Sequence, residues 1–244
     1  MWRIAFMFLR SFFCLPYYLF KLFQLDDATK YDNITRYSFL HRIAPKINRR
    51  GRVNVICTGL ENLPKETGYV LFPNHQGMFD ALAFLETHER PLVTVMKKEV
   101  ENVFLLRNVI SLLQAEIIDR DDIRQSMTVI MNMTKRVKQG ENFIIFAEGT
   151  RSKKGNCLGE FKGGSFKSAM NAHAPICPVA LIDCYKPFDE KSIRPVTVQI
   201  HYMPPLYYED YKGMKSTEIA TLVSTRIQEK INEELENPST TASL

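Results

Sequence analysis

From Val53 onward the chain alternates short runs rich in Val, Ile and Phe with stretches of helical character, and this alternation restricts the fold more than any other feature. The runs cover 53–59, 68–72, 91–96, 116–119, 142–147, 176–182 and 195–202, and 78–86, 122–138 and 164–171 read as helices between them. Strands separated by such helices call for crossover connections, so the pattern specifies an α/β fold: a central mostly parallel or mixed sheet flanked by helices. A last helix is expected over 216–236, where Ile219, Leu222, Val223, Ile227 and Ile231 keep helical spacing. The tail 237–244 is expected to be disordered. With 45% hydrophobic and 24% charged residues over 244 positions, the chain can fill a globular core. It divides into a helical segment at 1–50 and an α/β domain at 51–236.

Two of the strand ends carry chemistry. After the run 68–72 comes Asn74-His75-Gln76-Gly77-Met78-Phe79-Asp80. Five positions on one helix amount to about 500° of rotation, which leaves His75 and Asp80 roughly 140° apart and on different faces. They meet if His75 sits in the loop after the strand and Asp80 in the first turn of the next helix, with Gly77 bending the backbone between them. A histidine beside a carboxylate is the arrangement of a general base and the group that orients it. The plainer reading is an ordinary strand-to-helix turn with a surface histidine.

The run 142–146 is followed by Ala147-Glu148-Gly149-Thr150-Arg151-Ser152. Backbone N–H groups, hydroxyls and a guanidinium at a strand end suit a phosphate, and Lys153 and Lys154 add positive potential. Many loops share that composition. A third segment, Phe161-Lys162-Gly163-Gly164-Ser165-Phe166-Lys167, starts a helix with a glycine pair, read as a close backbone approach or as simple flexibility. The cysteines Cys14, Cys57, Cys157, Cys177 and Cys184 form no CxxC pair and no Cys/His ligand spacing. Their odd, scattered set argues against a disulfide scaffold and for a reducing compartment. No metal is expected, since no further His or Cys stands near His75 and Asp80 at ligand spacing.

Charge is uneven along the chain. Residues 1–52 hold ten Lys and Arg against three Asp, a net +7, whereas the other 192 residues hold 22 basic and 24 acidic side chains, a net −2. A basic segment of this kind suits an anionic surface, either nucleic acid or the cytoplasmic face of a membrane. The start, MWRIAFMFLRSFFCLPYYLFKLF, decides for the membrane. On a helix Arg3, Arg10 and Lys21 lie within about 20° of one another, a basic stripe against a broad aromatic surface, although Pro16 should kink or divide the helix. That is the pattern of a helix lying in the membrane interface. A spanning helix would place Arg10 near the bilayer centre at roughly 2.5–3.5 kcal/mol. A cleaved signal peptide lacks its small-residue site. A soluble core helix would have to hide several Phe and Tyr. The cluster Arg36, Arg42, Lys46, Arg49, Arg50 and Arg52 would add attraction to anionic phospholipids. No nucleic-acid partner is expected.

Taken in order, NHQGMFD at 74–80, FAEGTRS at 146–152 and CPV at 177–179, with Lys97-Lys98-Glu99 and Ile118-Asp119-Arg120 between, resemble the 1-acylglycerol-3-phosphate acyltransferase family over about 54–201. The resemblance implies transfer of a fatty acyl group from a thioester, either acyl-CoA or acyl carrier protein, to the free hydroxyl of lysophosphatidate, giving phosphatidic acid. It implies His75 as base oriented by Asp80, with Glu148, Gly149, Thr150 and Arg151 on the acceptor phosphate, assisted by Lys98 and Arg120. Direct attack on the thioester needs no protein nucleophile and no cofactor. Backbone N–H groups around Asn74 to Gly77 or in the Gly149 turn are candidates for the oxyanion. The expected location is peripheral or monotopic on the cytoplasmic face of a membrane.

The chain departs from the family pattern in two places. Ala147 replaces a proline, which loosens the turn, and Phe104-Leu105-Leu106-Arg107 with Asn108 stand where the family commonly carries a Pro and a Gly. The second departure touches the region that shapes the acceptor site, so the acceptor is less closely specified than the reaction. Another lysophospholipid as acceptor, a hydrolase with water in its place, and a non-catalytic lipid-phosphate binder are the competing readings. No GxSxG elbow supplies a serine mechanism, and a pure binder has no use for His75 and Asp80 together.

Overall fold

The computed structural model describes residues 2–102, 106–119 and 121–237. The strands are β1 (Val53–Thr58), β2 (Val70–Pro73), β3 (Leu92–Lys97), β4 (Glu116–Ile118), β5 (Asn142–Ile144), β6 (Ile176–Ile182) and β7 (Val196–Tyr202). They form one sheet in the order β1-β7-β6-β2-β5-β3-β4, parallel at every pairing except β6 with β7. The mixed sheet expected from the sequence is therefore present. Its central strands read as unbroken apolar runs because both faces are covered: all seven residues of β6 and all four of β2 are buried.

The helices are α1 (Trp2–Ser11), α2 (Leu15–Gln24), α3 (Asn33–Arg50), α4 (Asp80–Thr87), α5 (Leu106–Leu112), α6 (Ile123–Lys138), α7 (Lys167–Ala172), α8 (Lys186–Asp189), α9 (Tyr208–Tyr211) and α10 (Ser216–Glu236). Alternation along the strands sends side chains to two cores. Leu71, Cys177, Val179 and Leu181 pack with Tyr37, Leu40 and Ala44 of α3 and with Ala83 and Phe84 of α4. On the other face Val70, Phe72, Ala180 and Ile182 meet Val129 and Met133 of α6 and Ile219, Val223, Ile227 and Ile231 of α10. Met7, Leu22 and Leu25 join the first core, so the N-terminal helices share it with the sheet. Residues 238–244 of the expected tail lie outside the described residues.

The N-terminal segment corrects part of its sequence reading. Pro16 stands in the first turn of α2, and α1 and α2 are bent 95° apart. Among the described residues no single helix is long and apolar enough to cross a membrane, while this bent pair passes by length and composition. Leu9, Phe12, Phe13, Phe20 and Phe23 are exposed, Phe13 at 94%. Arg3 does not belong to an outward stripe. It is 1% exposed, and its guanidinium donates to the carbonyls of Gly51, Pro187 and Arg194 at 2.7, 3.0 and 2.8 Å. Arg36, expected on a lipid-facing cluster, is likewise buried and donates to Leu25 O, Ser111 O and Ser111 Oγ. Both fill their donors with backbone carbonyls, and the weakly hydrated, delocalised guanidinium is the cationic group best suited to such a buried position.

Candidate active site

Strands β2 and β5 are parallel neighbours, so their C-terminal ends come out at one edge of the sheet. The loop after β2 carries His75 and the loop after β5 carries Glu148. Asp80 opens α4, is almost fully buried, and accepts from His75 Nδ1 at 2.7 Å. The same carboxylate accepts from the N–H groups of Gln76 at 2.9 Å and Gly77 at 3.1 Å. A carboxylate accepts and does not donate, so the proton lies on Nδ1 and Nε2 is left as the basic nitrogen. The His75 side chain is 24% exposed, and its ring lies 4.2 Å from the Phe146 ring.

Gly77 earns its place differently from the bend expected of it. A Cβ there would stand 3.2 Å from Tyr185 Cα and 3.3 Å from Cys184 O, so the close approach of the 184–185 backbone would have to give way by a few tenths of an ångström to admit a side chain. The flanking polar residues anchor this approach. Asn74 brackets Leu181, accepting from its N–H at 2.7 Å and donating to its carbonyl at 3.0 Å. Gln76 accepts from Cys184 N–H at 2.7 Å and donates to Asn156 Oδ1 at 2.8 Å.

Glu148 is placed otherwise than as a phosphate ligand. It is 4% exposed, with Oε1 accepting from His75 N–H and Oε2 from Gly159 N–H, each at 2.8 Å. Burial pushes its carboxyl above the ordinary value, and the two backbone N–H groups pull it back. Gly149 turns the chain at φ 73°, and Ser152 N–H returns to donate to His75 O at 3.0 Å. Between them Thr150 and Arg151 stand exposed, Arg151 at 40% and 3.8 Å from Asp189. Four of the oxyanion donors expected in these loops already have acceptors within the protein. His75, Gln76 and Gly77 donate to Glu148 or Asp80, and Gly149 donates to Phe146 O.

Lys98 lies at the end of β3 and pairs with Asp119 at 3.4 Å rather than with either loop. Arg120 lies outside the described residues, as do Phe104 and Leu105 of the departing segment. Beside Phe146 a small, largely apolar cavity of about 60 Å³ opens between the sheet, α3 and α4, lined among others by Tyr37, Phe84, Leu85, Leu92, Thr94 and Met96. Among the described residues no cluster of three or more His, Cys, Asp or Glu could hold a metal ion.

The family model described as Acyltransferase matches residues 54–182, more than half of the chain and both loops. This chain belongs to that acyltransferase family. A 1-acyl-sn-glycerol-3-phosphate acyltransferase of Borreliella burgdorferi is 27% identical over 181 residues, 73% of this chain and 72% of that protein. The 1-acyl-sn-glycerol-3-phosphate acyltransferase alpha of Bos taurus is 26% identical over 199 residues, 80% of this chain and 68% of that one. The crystal structure of the 1-acyl-sn-glycerophosphate (LPA) acyltransferase from Thermotoga maritima shares the fold, with TM-score 0.74 at 21% identity over 97% of this chain and 98% of that one. For this acyltransferase, sequence reasoning missed Asn74, Gln76 and Gly159. The first two had a signal, being polar residues either side of His75 at a strand end.

Proposed function

We propose that this acyltransferase moves a fatty acyl group from a thioester donor to the free hydroxyl of 1-acylglycerol-3-phosphate, forming phosphatidic acid for phospholipid synthesis. The observation that carries the reading is His75, its Nδ1 committed to the buried Asp80 carboxylate, beside the cationic loop at Thr150 and Arg151. His75 Nε2 takes the acceptor's hydroxyl proton as the oxygen attacks the thioester carbonyl carbon. The tetrahedral intermediate collapses, the C–S bond breaks, and the proton returns from the imidazolium to the leaving thiolate. Asp80 stabilises the imidazolium during the interval. Arg151, with Gly149 and Thr150, holds the acceptor phosphate. The small cavity beside Phe146, whose accessible walls are almost wholly apolar, takes part of an acyl chain.

The exposed phenylalanines of α1 and α2, with Arg10 and Lys21 beside them, lie in the interface of the cytoplasmic leaflet, where the acceptor's acyl chain is held. The donor is acyl-CoA or acyl carrier protein. The test is transfer by the purified protein to lysophosphatidate and to an unphosphorylated monoacylglycerol. His75→Ala should lose about a hundred- to ten-thousandfold in kcat with the fold intact. Arg151→Ala should raise KM for the phosphorylated acceptor alone. Near wild-type turnover in His75→Ala would overturn the base, and an equal effect of Arg151→Ala on both acceptors would overturn the phosphate contact.

A further inference from the structure

The backbone of His75 is gripped on both sides by one loop. Its N–H donates to Glu148 Oε1 at 2.8 Å, and its carbonyl accepts from Ser152 N–H at 3.0 Å. The three residues between those grips are Gly149, Thr150 and Arg151, the segment that faces solvent. Glu148 is itself braced from behind. Its second oxygen accepts from Gly159 N–H, and a Cβ at Gly159 would fall 2.5 Å from that oxygen, so the carboxylate occupies the space a side chain would need. A carboxylate brought into a buried site is costly unless its lone pairs are filled, and here two backbone donors fill them. Nothing in this arrangement turns Glu148 toward an anion, which it would repel.

We infer that Glu148 is a positioning residue which fixes the offset between the general base and the phosphate-holding loop, and so selects the acceptor by the spacing of its hydroxyl from its phosphate. This rests on the reading of His75 and Arg151 given above. With both ends of the 148–152 loop tied to the His75 peptide, a phosphate held at Arg151 and a hydroxyl presented to His75 Nε2 are set apart by a fixed distance. A loose loop would tolerate a range of spacings. A tied one accepts a hydroxyl on the carbon next to the phosphate-bearing carbon and disfavours longer separations, because near-attack geometry is lost within about 1 Å.

The test uses Glu148→Gln and, from the other side of the same contact, Gly159→Ala, which leaves every side chain around His75 unchanged. Each is assayed with lysophosphatidate and with a homologue carrying one more methylene between hydroxyl and phosphate, alongside His75→Ala and thermal unfolding. Expected is a tenfold or greater fall in kcat for lysophosphatidate, KM within twofold, and at least a fivefold loss of preference over the homologue. Glu148→Asp, which keeps the carboxylate, should recover part of both. A raised KM with kcat and preference unchanged would mean that Glu148 touches the acceptor, and would overturn the inference. So would equal loss on both acceptors in folded Gly159→Ala. If His75→Ala keeps its turnover, the reading of the base fails instead, and the two failures are told apart within one experiment.

Discussion

Replacing Asp80 with Asn tests the pairing with His75 more sharply than deleting it. Oδ2 of Asp80 accepts from three N–H groups, those of His75 Nδ1, Gln76 and Gly77, whereas Oδ1 accepts from Gly77 alone. The amide oxygen therefore settles where Oδ2 lies, the His75 tautomer is kept, and the NH2 group faces Gly77 N–H, where the present contact is 3.1 Å. What the variant loses is the negative charge. At an effective dielectric of about 20 and a separation of about 4 Å, a carboxylate stabilises an imidazolium by about 4 kcal/mol. The 24% exposure of His75 screens part of that. A loss of about 3–4 kcal/mol in the transition state is a fall of a hundred- to a thousandfold in kcat. Asp80→Ala, which also frees the ring and strands two backbone N–H groups, should fall at least tenfold further and should unfold at lower urea. The assay is steady-state transfer with both substrates saturating, with urea midpoints measured beside it. Turnover of Asp80→Asn within tenfold of wild type, or equal to that of a folded Asp80→Ala, would refute the reasoning.

Two other perturbations follow from the geometry. Changing Phe12, Phe13 and Phe20 together to Ser should lower partitioning onto anionic liposomes by roughly a hundredfold, since even half of the 1.5–3 kcal/mol of full burial per ring sums to about 3 kcal/mol; unchanged co-sedimentation would place the docking surface elsewhere. His88 is buried between Tyr69, which donates to Nε2, and Arg90 O, which accepts from Nδ1. Burial first, then the charges of Arg90 and His41, pull its pKa down to about 4, against the bond to Arg90 O. The unfolded chain takes up this proton from about pH 6.5 and the folded one only near 4, so stability present at neutral pH is lost as pH falls through that window. About 2 kcal/mol should go between pH 7.5 and 5, read from urea midpoints. His88→Gln should lose that part of the dependence, and an equal shift in the variant would assign it to other groups.

The middle of the sheet was legible because β2, β5 and β6 are buried on both faces and show as apolar runs that no solvent-facing element would carry. Position 216 as the start of α10 was legible for the same kind of reason, a helical period of apolar residues behind a polar turn. The short α5 and α8 carry too few periods to announce themselves. Arg3 and Arg36 were misplaced because a helical wheel sends charge outward. Their burial depends on which carbonyls lie bare at Gly51, Pro187, Arg194, Leu25 and Ser111, three of them more than 70 residues away. At the site, contact of His75 with Asp80 followed from a turn argument. The anchoring of Asn74 on Leu181 and of Gln76 on Cys184 joins positions more than 100 residues apart, and no local pattern contains it. The resemblance puts Glu148 on the acceptor phosphate, whereas its carboxylate turns inward to the N–H groups of His75 and Gly159, the second of them eleven residues away in a loop with no local signal.

The three carbonyls that hold Arg3 come from separate parts of the chain: the turn before β1, α8, and the segment leading into β7. One hydrogen bond would leave α1 free to swing, and two would leave it a hinge. Three, in different directions around a planar guanidinium, hold that group in one place. The start of α1 is therefore tied to α8, whose Asp189 lies 3.8 Å from Arg151 in the loop after β5. One buried side chain thus links the aromatic N-terminal helices to the helix that borders Arg151, so a load on the first is passed through Arg3 to the second.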